Sequence, residues 1–240
     1  VDLNLDTLYG YLSAFGGEII NTQGDVVIGN SGRAGTEAWL RWLTMLNADP
    51  LLLTRLDAVF TIERTLGARH VDMVIDSSKN YQTYAQLWGA STGITALPVL
   101  SITNQAPHPI ITSSVVVLNK HMSTTELAAA RQLLNGLMQP DIQQLLLSYG
   151  FQPVNRQVSL ADAPNALAIQ NAAADAVTPP AALMRYDVYA VLRTMNQQVV
   201  VGAQNPSDAV STADQQLRQL LEDRKSTRLN SSHANISYAV

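Results

Sequence analysis

Cysteine is absent from all 240 residues. That excludes thiolate nucleophiles, cysteine-bound zinc and any disulfide framework, and it is compatible with an oxidising compartment. Lysine is scarce: Lys79 and Lys120 are the only two before residue 223, so there is no polybasic patch to hold an anionic membrane. No apolar run reaches the roughly 20 residues of a membrane-spanning helix. No secretory leader is visible and the first residue is Val1. We expect a gene fragment truncated at its N-terminus, in which a missing leader says nothing about compartment. The formal net charge is −4, and a mildly acidic surface argues against nucleic acid as a partner.

Residues 223–240 must be set aside first. Asp223-Arg224-Lys225-Ser226-Thr227-Arg228-Leu229-Asn230-Ser231-Ser232-His233 reads like the translation of a common sequencing-library adapter. Ile236-Ser237-Tyr238-Ala239-Val240 reads like its continuation. We expect Asp223 to Val240 to be an artefactual tail with no place in the fold. The tail carries Arg224, Lys225 and Arg228 against Asp223, so its removal takes the charge from −4 to −6. It also removes two apparent glycosylation acceptors, Asn230-Ser231-Ser232 and Asn235-Ile236-Ser237.

The remaining 222 residues alternate between helical and strand-like periods. Ala38, Trp39, Trp42, Leu43 and Leu46 fall on one face of a helix from about Ala34 to Asn47, which Pro50 stops. Leu51 to Leu66 reads as a second helix. Val71 to Ile75, Ile94 to Leu97 and Val115 to Leu118 read as buried strands. Ser123-Thr124-Thr125-Glu126 is a capping box ahead of a helix from Leu127 to Met138. Pro140 suits the first turn of the next helix and Gly150 its left-handed end. Ala161 to Ala176 is alanine-rich and helical, and Ser207 is placed to cap a final helix. Strands alternating with helices predict an α/β fold with partly parallel sheets.

Few motifs carry chemistry. Gly29-Asn30-Ser31-Gly32-Arg33 lacks the second glycine of a nucleophile elbow. Gly29 to Gly35 lacks the spacing of a dinucleotide fingerprint and the lysine of a P-loop, and reads as a turn opening a helix. His70, His108 and His121 have no partner at metal-ligand spacing. Trp39 and Trp42 form a packing stripe. Asp76-Ser77-Ser78 is the informative triplet, because it follows a strand directly. Open α/β sheets place ligands at strand C-terminal ends. Aspartate accepts hydrogen bonds while serine both donates and accepts, which suits a polyol. The same residues are also ordinary turn formers.

Three segments in one order carry a resemblance. They are Gly67 to Pro98, Pro109 to Val154, and the tyrosine-bearing stretch Met184 to Met195 with Asn205-Pro206-Ser207-Asp208 behind it. Together they resemble the C-terminal part of the extracellular solute-binding proteins of ABC importers, the family that includes maltose-binding protein. The resemblance implies a type II periplasmic-binding-protein-like α/β fold of two lobes, truncated at its N-terminus. Residues 1–97 would begin the C-terminal lobe. Residues 98–155 would cross the hinge and supply part of the N-terminal lobe, and residues 156–222 would complete the C-terminal lobe. Val115 to Leu118 would then present an unpaired strand edge.

The implied activity is binding, not catalysis. A sugar or polyol would be captured by hinge closure and delivered to the transmembrane subunits of an ABC permease, with no cofactor and no metal. The implied location is periplasmic or extracellular, with or without a lipid anchor. Asp76, Ser77 and Ser78 would line the cleft from one lobe and Thr112, Ser113 and Ser114 from the other. Lys79 stands where the family usually has a sugar-stacking aromatic, and Tyr81 is the nearest ring. Tyr186 stands one turn before Tyr189 in the stretch where relatives place another stacking aromatic. The competing class is a small cytosolic α/β hydrolase or transferase, which would need a nucleophile–base pair or phosphate loop that the sequence does not display. A structural or interaction protein is a third class.

Overall fold

The computed structural model describes residues 5–52, 73–111 and 116–236. The chain divides into two compact units. One comprises Val1–Phe60, Pro98–Ile110 and Val177–Val240, the other Thr61–Leu97 and Ile111–Ala176. Residues 73–97 thus group with 116–176 and not with 5–52. The expected helix from Leu51 to Leu66 lies almost wholly outside the described residues.

The first unit is helical. Helix α1 (Leu5–Leu12), α2 (Arg33–Ala48), α7 (Tyr186–Val200) and α8 (Pro206–Ile236) pack on one another. Each contributes an apolar stripe at helical spacing. Leu8, Tyr11 and Leu12 come from α1, and Trp39, Leu40 and Leu43 from α2. Val188, Leu192, Met195 and Val199 come from α7, and Val210, Ala213 and Leu217 from α8; all are buried. Burial of each large side chain contributes about 1.5–3 kcal/mol before entropy. Trp42 is half-buried and lies over Tyr11 and Phe15, with ring centroids 5.1 and 5.6 Å apart. The tryptophan stripe read from the sequence is core.

Residues 19–37 are fastened to the far end of the chain. Ile20 bridges antiparallel to Val26 around a turn in which Asn21 Oδ1 accepts from the backbone of Gln23 and Asp25. The Gly29 N–H donates to Asp214 Oδ1 at 3.2 Å, and Arg218 bonds both Asp214 and the Val26 carbonyl. Arg33 pairs with Glu37 and donates to Ser207 and Ser211. Ser207 therefore does not cap α8. Asn205 does so, its Oδ1 accepting from the Asp208 N–H at 3.0 Å, because Pro206 occupies the first helical position. The glycines of this turn serve close packing: a Cβ at Gly32 would overlap the Glu18 carbonyl, and one at Gly35 the backbone of Gly16.

Helix α8 continues through Asp223 to Ile236, where a tail outside the fold was expected. Once nucleated, a helix propagates at little cost per residue, so backbone helicity needs no packed face.

The second unit contains α3 (Tyr81–Trp88), α4 (Thr124–Leu137), α5 (Pro140–Ser148) and α6 (Pro164–Ala172). The capping box is complete: the Glu126 N–H donates to Ser123 Oγ, and Glu126 Oε2 accepts from the Ser123 N–H at 2.8 Å. These bonds hold the Glu126 carboxyl below the usual carboxylate range. Pro140 opens α5, and Gly150, at φ +88°, follows its end. Helix α6 is shorter than the alanine pattern implied, because Pro164 fixes its start.

The strands expected at 71–75, 94–97 and 115–118 do not form ladders in their described parts. Residues 73–77, 92–97 and 116–119 belong to no helix or strand, and the described residues contain only isolated bridges. A strand exists only with a neighbour to accept its hydrogen bonds, so apolar composition alone does not make one. The helices show the same want of a partner. No residue of α4 is buried, Leu133 is 65% exposed, and Val117 and Phe151 are also exposed.

Two outcomes follow. Gly35→Ala should lower stability by about 1–3 kcal/mol through overpacking, whereas Gly93→Ala, which would meet nothing within 4 Å, should be near neutral; urea midpoints compare them, and equal midpoints would contradict the close approach. The chain should also bind an apolar dye, with α4 amides exchanging hydrogen much faster than α2 amides. A dye-negative chain with α4 as protected as α2 would show that the exposed face is covered.

Candidate functional site

The Asp76 loop is built around its carboxylate. Oδ1 accepts from the Ser77 N–H at 2.6 Å, and Oδ2 accepts from Asn80 Nδ2 at 2.8 Å and from the Tyr84 hydroxyl. A carboxylate offers about four acceptor positions, so three are used within the loop. The bonds reach from the extended segment into the 3₁₀ turn Ser78–Asn80 and the buried ring of Tyr84 in α3. Tyr84 in turn stacks on Trp88 at 5.7 Å. Asp76 thus fixes where α3 begins. Ser77 and Ser78 are exposed, with no side-chain hydrogen bond among the described residues.

Tyr81, the first residue of α3, is half-buried and forms one wall of a cleft of about 220 Å³ inside the second unit. The opposite walls come from the end of α5 and the start of α6, at Gln152, Asp162 and Asn165. Sequence reading missed these three. They lie in ordinary loop and helix-start chemistry, and only the packing of α3 against α5 and α6 gathers them.

Thr112, Ser113 and Ser114 lie outside the described residues. Tyr186 belongs to the first unit, where it opens α7 with its ring 89% exposed. Arg185 and Asp187 on either side pair with each other. Tyr189 is half-buried on the same helix. Tyr9 on α1 is also half-buried, and burial together with the nearby Glu18 carboxylate pushes its hydroxyl well above the usual tyrosine range. It stays neutral at any physiological pH. Burial pushes Tyr11 up to about 12.

The catalytic alternatives gain nothing from the geometry. Ser31 is exposed and its hydroxyl faces Asn30 Oδ1 at 3.4 Å, which is not a base. His108 and His121 are exposed. Among the described residues no group of three or more His, Cys, Asp or Glu could hold a metal, and no helix is long and apolar enough to cross a membrane.

No family model matches the sequence, and no curated protein matches it. Solved structures do. The chain is similar to the maltose/maltodextrin-binding domain MalE from Bdellovibrio bacteriovorus bound to maltotriose, with TM-score 0.76 and 20% identity, over 92% of this chain and 59% of that one. It is similar to the maltose-maltodextrin binding protein of Alicyclobacillus acidocaldarius, with TM-score 0.70 and 19% identity, over 90% and 60%. A third is the maltose-binding MalE from Listeria monocytogenes in complex with maltose, with TM-score 0.70 and 14% identity, over 93% and 60%. The fold is therefore that of the two-lobe periplasmic binding proteins. Within that class it is the maltose-binding arrangement, of which the chain spans about three-fifths of the length.

Asp76→Ala should loosen the start of α3, because it leaves Tyr84, Asn80 and the Ser77 N–H without an acceptor. A loss of about 1–3 kcal/mol corresponds to roughly five- to a hundredfold faster hydrogen exchange at the Tyr84 to Trp88 amides, at 1.4 kcal/mol per tenfold. Unchanged exchange would remove Asp76 as the organiser of this loop.

Proposed function

We propose that the chain is part of the solute-binding component of an ABC importer, working in the periplasm or at the cell surface. It captures a sugar or polyol by hinge closure and hands it to the permease. The observation that carries this reading is the likeness in fold to maltose-binding proteins over nine-tenths of the chain. Closure would be a population shift: the ligand favours the closed form only by the contacts it makes there and not in the open one.

In this reading Ser77 and Ser78 offer hydroxyls to the sugar, held in place by Asp76, whose remaining acceptor position is open to a ligand hydroxyl. Thr112 to Ser114 supply the facing hydroxyls. Tyr81 and Tyr186 supply aromatic faces. The exposure of the Tyr186 ring supports its role, since a tyrosine presented to solvent on a rigid helix is a ready surface for the apolar face of a pyranose. The chemistry needs only directed hydrogen bonds and a ring, with no cofactor.

The test is calorimetric titration of the full-length gene product with maltose, maltotriose and sorbitol. Maltose or maltotriose should bind, and Tyr186→Ala should weaken binding by roughly three- to tenfold, the worth of an aromatic contact of about 0.5–1.5 kcal/mol. Failure of all three ligands to bind a folded protein would overturn the sugar reading. Binding untouched by Tyr186→Ala would remove that ring from the site.

A further inference from the structure

The cleft beside Tyr81 has a lining that the sugar reading does not use. Its polar groups are the Tyr81 phenol, the carboxamides of Gln82, Gln152 and Asn165, and the Asp162 carboxylate. Its floor is apolar and includes Leu147 and Ile169. No lysine, arginine or histidine lines it. None of the five polar side chains hydrogen-bonds to another group among the described residues. Their donors and acceptors converge on one concavity and have no protein partner to satisfy.

We propose that this cleft is a binding site for a single neutral hydroxylated ring, a monosaccharide or cyclic polyol, separate from the surface that Tyr186 presents. The proposal rests on the reading of the protein as a sugar or polyol binder. Three properties select the ligand. A carboxamide donates through its nitrogen and accepts through its oxygen, so it matches a hydroxyl in either sense. A carboxylate with no neighbouring cation repels anions, which rules out sugar phosphates. An aromatic wall over an apolar floor matches a pyranose, which has C–H faces and hydroxyl edges.

Volume sets the size. About 220 Å³ lies below the roughly 300–1,000 Å³ of pockets for drug-sized ligands. It is room for about seven waters at roughly 30 Å³ each, and so for one ring and not for an oligosaccharide. Gly150 contributes by what it lacks: a Cβ there would meet the Gln82 side chain at 2.9 Å, and φ +88° disfavours any other residue. Glycine at this position lets Gln82 lie across the end of α5 as part of the wall.

Saturation-transfer NMR and titration of the 240-residue chain test the proposal, with D-glucose, myo-inositol, glucose 6-phosphate and putrescine as probes. Glucose or inositol should show transfer, and glucose 6-phosphate and putrescine should not. Gln152→Ala and Asn165→Ala should each raise the dissociation constant about three- to tenfold, the loss of one hydrogen bond each. Their far-UV melts should match the parent. Tyr186→Ala should leave monosaccharide binding unchanged. No transfer from either neutral ring, preferred binding of putrescine or of the phosphate, or indifference of neutral-ring binding to both amide variants would each overturn the proposal. The two readings fail separately: loss of maltose binding on Tyr186→Ala with inert Gln152 and Asn165 variants sinks the cleft and leaves the importer reading standing. Monosaccharide binding sensitive to the amide variants, in a protein that ignores maltose and maltotriose, does the reverse.

Discussion

Much of the first unit depends on joining residues 26–37 to residues 205–218. Arg33 reaches Ser207 and Ser211, while Asp214 and Arg218 hold the turn at Val26 to Gly29. Each bond is partly exposed and individually modest. Their effect is positional. They seat α8 so that Val210, Ala213 and Leu217 complete the core around Trp39, and that burial supplies the free energy. The contacts span more than 170 residues of sequence. Loop closure over such distances precedes any reward from packing.

The second unit shows what happens when that kind of pairing has no counterpart. Its helices are well formed locally, with a complete capping box, a proline at each of two helix starts and a glycine beyond a helix end. Local rules suffice for those. Its apolar segments at 73–75, 94–97 and 116–118 remain extended and unladdered, because a ladder requires a second strand. The maltose-binding structures that the chain resembles are longer by about two-fifths, and a sheet is the kind of element that can cover both an α4 face and an extended edge.

That contrast explains what could be read in advance. Helix α2, the capping box of α4 and the limits of α5 were legible because periodicity, caps and proline act within a few residues. The α8 cap was misplaced by two residues: Ser207 has the right chemistry, but Pro206 shifted the first turn and Arg33 claimed the serine. The Gly29 to Gly35 run was correctly denied a nucleotide role, yet its purpose, backbone contact with Gly16 and Glu18, lies in tertiary structure. At the site, Asp76 was picked out as a ligand group, and the geometry adds its work as the organiser of α3. Gln152, Asp162 and Asn165 were invisible, since amides and carboxylates in loops have no pattern until packing gathers them.

One small feature bears on how such a chain could be remodelled. Ile110 and Val177 form a parallel bridge, with the Val177 N–H bonded to the Pro109 carbonyl at 2.8 Å. The excursion from Ile111 to Ala176 therefore departs and returns at adjacent points of the first unit. An insertion anchored in this way is exchangeable: a recombination event, or an engineer with a short flexible linker, could excise the excursion or graft another in its place, while the helices around Trp39 kept their neighbours.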